Sequence, residues 1–230
     1  MISLGLLGKD IRHSRSKEMY QKILNQMVDY HLFDFSHENN IPSLDHLMQK
    51  VSGLSITSPY KKVFLNVVKM QPEIADLEAI NCIKKVGNDF YATNTDYLAL
   101  NQLIDEVLER FDLMDEIFIL GDGAMGKVMV KICQLKNIKY RVYSRKIGNL
   151  NNLSLEISNK AQGVLVINTC SREYLFNQHL PMNSVFWDLN YNMPSHESFF
   201  QKKQITYIDG LSLLEQQARH AVTFWNLKFS

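Results

Sequence analysis

Disulfide chemistry has little to work with in this sequence. The 230 residues include three cysteines, Cys82, Cys133 and Cys170, set far apart and without a CxxC pair, which suits reduced thiols and argues against a disulfide framework or a structural metal site. Charge of one sign is also missing. The 25 basic and 24 acidic side chains leave a formal net charge of +1, with no long Lys/Arg run. The electrostatic footprint of nucleic-acid binding is therefore absent, and a small-molecule ligand is expected instead. No apolar run approaches the roughly 18 residues that span a bilayer. The opening Met1-Ile2-Ser3-Leu4-Gly5 has neither a basic n-region nor a small-residue cleavage site, so the expectation is a cytoplasmic protein without a membrane partner. Internal repeats and low-complexity tracts are lacking too. The remaining composition, 46% hydrophobic and 21% charged, is that of an ordinary globular protein whose length allows one domain or two.

The apolar pattern gives the order of elements. Ile2 to Gly8 reads as a strand, Ser16 to Met27 as a helix of spacing near 3.6, Tyr30 to Phe35 as a strand, and Leu44 to Val51 as a helix stopped by Gly53. Leu54 to Thr57 is strand-like and runs into Ser58-Pro59, after which a helix can begin. Ala79 to Val86 and Phe90 to Thr93, separated by Gly87-Asn88-Asp89, read as a hairpin. A helix from Leu98 to Phe111 ends near acidic loop residues and marks a domain boundary. Beyond it, apolar runs at Ile117 to Leu120, Tyr140 to Tyr143, Val164 to Ile167, Val185 to Leu189 and Ile205 to Ile208 alternate with helical or loop segments, as in a parallel doubly wound sheet. A last amphipathic helix runs from Leu211 to Trp225.

One loop carries a mechanism. Gly121-x-Gly123-x-x-Gly126 lies between a buried strand and a helix that reaches Leu135. The first two glycines permit a tight turn and close approach of backbone to phosphate, and the third permits close packing of helix on strand. Ala124 and Met125 complete this candidate dinucleotide cradle. A glycine turn that only joins strand to helix is the plainer alternative. The next strand ends in Ser144-Arg145-Lys146, where an acidic residue would bind the ribose of NAD. Two cations and a hydroxyl favour the 2′-phosphate of NADP, unless the loop is simply solvated.

Four polar clusters in the first half each follow an apolar run: His13-Ser14-Arg15-Ser16, Thr57-Ser58-Pro59-Tyr60-Lys61, Asn81, and Asn94-Thr95-Asp96. Singly, each could be a turn or a helix cap, and Ser16 and Asp96 would serve as N-caps. In order, they resemble the shikimate dehydrogenase family. Gly8-x-x-Ile11-x-His13-Ser14-x-Ser16 is similar to its serine motif and Gly53-x-Ser55-Ile56-Thr57-x-Pro59-x-Lys61 to its lysine motif. Ala79-Ile80-Asn81-Cys82 and Asn94-Thr95-Asp96 resemble the next two signatures. The cofactor loop, Ser144-Arg145-Lys146, Ile167-Asn168-Thr169, Asp188-x-x-Tyr191-Asn192-x-Pro194 and Asp209-Gly210-x-x-Leu213-Leu214-x-x-Gln217-Ala218 continue the series over about residues 5 to 225.

The resemblance implies an α/β protein with an N-terminal substrate-binding domain over residues 1–98, completed by a C-terminal helix in 211–230. It also implies a Rossmann-like, doubly wound NADP-binding domain over 99–210, with a cleft between the two. It assigns Lys61 and Asp96 to catalysis, and Ser14, Ser16, Thr57, Asn81, Tyr191 and Gln217 to the substrate. Gly121, Gly123, Ala124, Met125, Gly126, Ser144, Arg145, Lys146, Asn168, Thr169 and Gly210 fall to the cofactor, NADP rather than NAD. The implied reaction is reversible reduction of 3-dehydroshikimate to shikimate, a step of aromatic amino-acid biosynthesis. An ammonium at Lys61 can give the proton that the developing alkoxide needs, although surface exposure is the commoner fate of a lysine.

Ser55 in place of asparagine, Tyr97 where glycine follows the catalytic aspartate, Met125 in the cofactor loop and a C-terminus short for the family mark a divergent member. A quinate-type enzyme on a related cyclic hydroxy acid and a non-catalytic NADP(H)-binding module are the alternatives. Monomer and homodimer are both compatible with the apolar helix faces.

Overall fold

The computed structural model describes residues 1–111, 116–157, 160, 163–201 and 203–228. The acidic stretch expected after Phe111, and the last two residues of the C-terminal segment, lie outside the described residues. The chain separates into two compact units, Met1–Ala99 with Leu214–Ser230, and Leu100–Leu213.

The first unit begins with β1 (Ile2–Gly8), α1 (Ser16–Leu24), β2 (Val28–Asp34), α2 (Leu44–Met48) and β3 (Gly53–Ile56). It continues through α3 (Pro72–Ala75), β4 (Cys82–Val86) and β5 (Asp89–Thr93). The strands are ordered β2-β1-β3-β4-β5. β1 is parallel to both neighbours, whereas β4 and β5 add an antiparallel hairpin. β1 lies between β2 and β3, and Leu4 to Gly8 are buried in succession, as in a strand covered on both faces. α1 stops at Leu24, short of Met27, because Asn25 takes a left-handed conformation at φ 48° and ends the helix. The Ser43 hydroxyl caps α2 by accepting from the His46 amide. No α-helix begins at Pro59: turns and a 3-10 segment, Leu65–Val67, lead instead to α3.

The division between the units falls inside α4 (Thr95–Phe111). The second unit then carries β6 (Ile117–Leu120), α5 (Ala124–Leu135), β7 (Tyr140–Tyr143), α6 (Leu153–Ile157), β8 (Leu165–Asn168), β9 (Val185–Asp188), α7 (Pro194–Gln201) and β10 (Thr206–Ile208). α8 (Leu211–Phe224) follows. Every pairing in the sheet β10-β9-β8-β6-β7 is parallel. Sequence order reverses across β6 and β8, so the carboxyl ends of these two strands form a topological switch point. The short helices α3, α6 and α7 have no counterpart in the sequence pattern, which is too brief over them to show a period of 3.6.

Each unit has its own core. In the first, Leu4, Tyr20, Ile23, Leu24, Val28 and Cys82 pack with Ala218, Ala221, Val222 and Trp225 from the far end of the chain. Trp225 donates its indole N–H to the Ile83 carbonyl at 2.9 Å. It lies so close to β3 that a Cβ on Gly53 would come within 2.5 Å of the ring. The second core gathers Phe118, Leu120, Tyr143, Phe176, Phe186 and Phe200, with other apolar residues, around the parallel sheet.

Candidate active site

The strand ends of the first unit bring four polar segments together. Thr57 follows β3 directly, its amide donating to the Leu7 carbonyl at 2.8 Å. The turn that follows carries Lys61, whose carbonyl accepts from the Ile80 amide at 2.9 Å. Lys61 Nζ then reaches across to Asp96 Oδ2 at 2.6 Å, with side chains only 12% and 11% exposed. Few lysines are this enclosed unless paired, and the pairing supplies the charge balance that the lysine needs. Beside it, Asn81 Oδ1 accepts from the Thr95 amide at 2.7 Å and from Thr95 Oγ1 at 3.2 Å. Thr95 Oγ1 also lies 3.4 Å from Gln217 Oε1. Asn81 and Gln217, 136 positions apart in sequence, are thus joined through Thr95, whose side chain the sequence reading left without a role. Ser14 Oγ and Ser16 Oγ are 3.1 Å apart at the start of α1.

Helix capping does not account for Ser16 or Asp96. The N-cap of α1 is Arg15, without a side-chain cap, and Ser16 is already helical. At α4 it is Asn94 that takes the capping geometry, its Oδ1 accepting from the Tyr97 amide at 3.0 Å. The Ser16 hydroxyl and the Asp96 carboxylate are therefore left available for other work. Tyr97 sits buried within the first turn of α4 and is not among the residues of positive φ. Its backbone is one that any L-residue adopts, so replacing glycine here carries no backbone strain.

The second unit places the glycine loop at the switch point. Gly121 has φ +101°, and a Cβ there would come within 2.7 Å of Thr169 Oγ1. A Cβ on Gly126 would meet the Gly121 carbonyl oxygen. Gly123, by contrast, has open space around it and is the uncapped N-cap of the 12-residue helix α5. The loop is tight on the sheet side and open above the helix N-terminus, where first-turn amides favour an anion. Thr169 closes the turn, its hydroxyl donating to the Leu120 carbonyl at 2.8 Å. Ala124 is exposed and Met125 half-buried at the same helix start.

Arg145 and Lys146 are exposed after β7. The Ser144 hydroxyl instead accepts from the Ile147 amide at 3.1 Å, shaping its own loop. Gly210 has a packing reason, since a Cβ would collide with the Leu189 carbonyl oxygen. Tyr191 belongs to this second unit, where Arg172 Nη1 donates to its carbonyl at 2.8 Å and the guanidinium lies 5.6 Å from its ring centre. All three cysteines are free. Burial holds Cys82 well above the usual thiol range and pushes Cys133 and Cys170 up to about 11, so they stay protonated at neutral pH.

A buried network fixes the ends of β8 and β9. Asp188 Oδ2 and His196 Nδ1 are 2.6 Å apart, and neither side chain is more than 1% exposed. Asp188 Oδ1 accepts from Asn168 Nδ2 at 3.0 Å and from both nitrogens of Asn190. His196 Nε2 accepts from the Phe176 amide at 2.8 Å, so the ring hydrogen sits on Nδ1 and points at the carboxylate. Asn168 is thereby held as scaffold for the turn that carries Thr169. His196→Ala would leave the Phe176 amide unpaired, remove a donor from a buried carboxylate and open a cavity. A loss of about 3 kcal/mol is expected in urea unfolding, with part regained in His196→Gln. No sequence pattern signals His196.

Residues 6–83 match the family described as shikimate dehydrogenase substrate binding domain. Across nearly the whole chain, the shikimate dehydrogenase of Sulfurisphaera tokodaii is 25% identical over 236 residues, covering 96% of this chain and 88% of that protein. The shikimate dehydrogenase (NADP(+)) of a Nostoc species is 25% identical over 262 residues, with 96% and 90% covered. Among solved structures, shikimate dehydrogenase 1 from Peptoclostridium difficile superposes with a TM-score of 0.76 at 23% identity, covering 100% of this chain and 94% of that one. No described helix is long and apolar enough to cross a membrane.

Proposed function

We propose that this chain, a divergent relative of the shikimate dehydrogenases at 25% identity, is a cytoplasmic NADP-dependent oxidoreductase that interconverts 3-dehydroshikimate and shikimate. The observation that carries the reading is the enclosed pair of Lys61 and Asp96, 2.6 Å apart, with Thr95, the residue before Asp96, joined to Asn81 and Gln217.

Reduction of a ring ketone needs hydride at carbon and a proton at oxygen. The bound nicotinamide supplies the hydride. Lys61 Nζ supplies the proton to the oxygen as negative charge grows there, and its positive charge stabilises that oxygen before transfer is complete. Asp96 aims the ammonium. In the reverse direction the neutral amine takes the proton from the substrate hydroxyl. Ser14, Ser16, Thr57, Asn81 and Gln217 hold hydroxyl and carboxylate oxygens of the substrate, an orienting contribution made before any bond changes.

The second unit fits a dinucleotide by its own chemistry. The open Gly123 and the uncapped start of α5 suit a pyrophosphate, and Arg145 and Lys146 suit a 2′-phosphate. Gly121, Ala124, Met125 and Gly126 shape the cradle, with Thr169, Asn168 and Gly210 supporting the neighbouring strand ends. Ser144 acts through the shape of the basic loop. Arg145→Ala is expected to raise the Michaelis constant for NADP+ at least about tenfold while leaving that for NAD+ unchanged. Steady-state kinetics with both cofactors checks this, and equal effects on the two would make the pair mere solvent decoration.

A further inference from the structure

Three stripes of side chains converge in the first unit. On α1, Ser16 and Tyr20 are one turn apart and share a face. Along β3 and its continuation, Gly53, Ser55 and Thr57 alternate onto one face. On α8 and just beyond it, Gln217, Ala221 and Trp225 follow one another at helical spacing. The contacts place these stripes in layers. Deepest is Trp225, lying flat over Gly53. Above it is Tyr20, whose ring centre is 5.3 Å from that of Trp225 and whose phenol oxygen is 3.0 Å from Ser55 Oγ. One step further out along each stripe come Ser16, Thr57 and Gln217, residues assigned above to the substrate. Tyr20 and Ser55 therefore sit one step inward from Ser16 and Thr57 on their own elements.

We propose that Tyr20 and Ser55 are a specificity-determining hydroxyl pair, in which Ser55 donates to one ring hydroxyl of the bound cyclic polyol acid and Tyr20 fixes the direction of that donation. This inference rests on the proposed function and deepens it. Tyr20 is only 2% exposed, and burial holds its phenol well above the usual range, so it keeps its hydrogen. An enclosed O–H needs an acceptor, and among the described residues Ser55 Oγ is the one bonded to it, at 3.0 Å. With its oxygen already accepting, Ser55 is left with its own hydrogen to give. Ser55 is half-exposed where Tyr20 is buried, so that hydrogen has room to meet a ligand. Two neutral hydroxyls suit an alcohol oxygen, and a site built to bond an OH rejects an analogue that lacks it.

The experiment compares wild type, Tyr20→Phe, Ser55→Ala and the double variant, with steady-state kinetics in both substrates and calorimetric titration of shikimate. Phenylalanine keeps the ring on Trp225, so folding is preserved. Each single change is expected to raise the Michaelis constant for shikimate about tenfold, with kcat within about twofold and the NADP+ constant unchanged. The double variant should be no worse than the poorer single, because the two hydroxyls act as one unit. Among mono-deoxy analogues of shikimate, one should be insensitive to Ser55→Ala, identifying the hydroxyl concerned. Wild-type activity with unchanged shikimate constants in both singles, or equal losses for shikimate and NADP+, overturns the pair and leaves the proposed function standing. A wild type that neither binds nor turns over shikimate overturns the proposed function, and the pair with it.

Discussion

Lys61→Met is expected to lower kcat for both directions of the shikimate reaction by about a thousandfold while leaving the calorimetric affinity for NADP+ unchanged. Methionine is close to lysine in length and apolar, so it fills the turn after β3 without offering a proton. What it removes is the ammonium that makes a charged hydrogen bond to Asp96, at 2.6 Å. The change also leaves a carboxylate that is 11% exposed without this cation, so some loss of stability is expected beside the loss of turnover. Asp96→Asn separates the two effects. It keeps a hydrogen-bonding side chain at the start of α4 and keeps the lysine, but no longer balances its charge. An intermediate fall in kcat with near-normal folding would place the aspartate in the orienting role. If Lys61→Met retained kcat within a few-fold of wild type, the lysine would be structural and the mechanism wrong.

The second large effect is expected at the cofactor loop. In Gly126→Ala, the new methyl group would collide with the Gly121 carbonyl oxygen. The obstacle is backbone, so no rotamer change relieves it. Either the start of α5 moves outward or the tight turn at Gly121 opens, and both displace the amides on which the pyrophosphate depends. At least about a hundredfold weaker NADPH binding is predicted, a figure equal to about 2.7 kcal/mol. Shikimate affinity measured without cofactor should be preserved, because the serine, threonine and glutamine contacts lie in the other unit. Gly123→Ala is the control: open space surrounds that position, so the protein should fold normally and any loss of affinity would come from the ligand's own need for close approach. Loss of shikimate binding in Gly126→Ala would show instead that the damage is general.

The strands of the second unit were readable because buried parallel strands are continuous apolar runs, and β6 and β7 begin and end where the pattern says. The amphipathic helices were readable too, but their ends were less so. α1 ends early at Asn25 through a backbone conformation that apolar spacing does not encode. α4 starts at Thr95, three residues before the expected Leu98, because Asn94 caps it. In the candidate site, the residues named from the sequence motifs fall near strand ends and helix starts, where a sheet presents ligand groups, except Gln217 in the middle of α8. What the motifs left out are the groups that act between them. Thr95 joins Asn81 to Gln217, Tyr20 supports Ser55, and His196 holds Asp188. Each of these depends on a partner more than seven residues away, so only the folded chain reveals it.

A paired absorbance assay on the purified wild type follows oxidation of NADPH with 3-dehydroshikimate and reduction of NADP+ with shikimate. Turnover is expected in both directions, lost in Lys61→Met. Normal NADPH binding without turnover in either direction would overturn the proposed function.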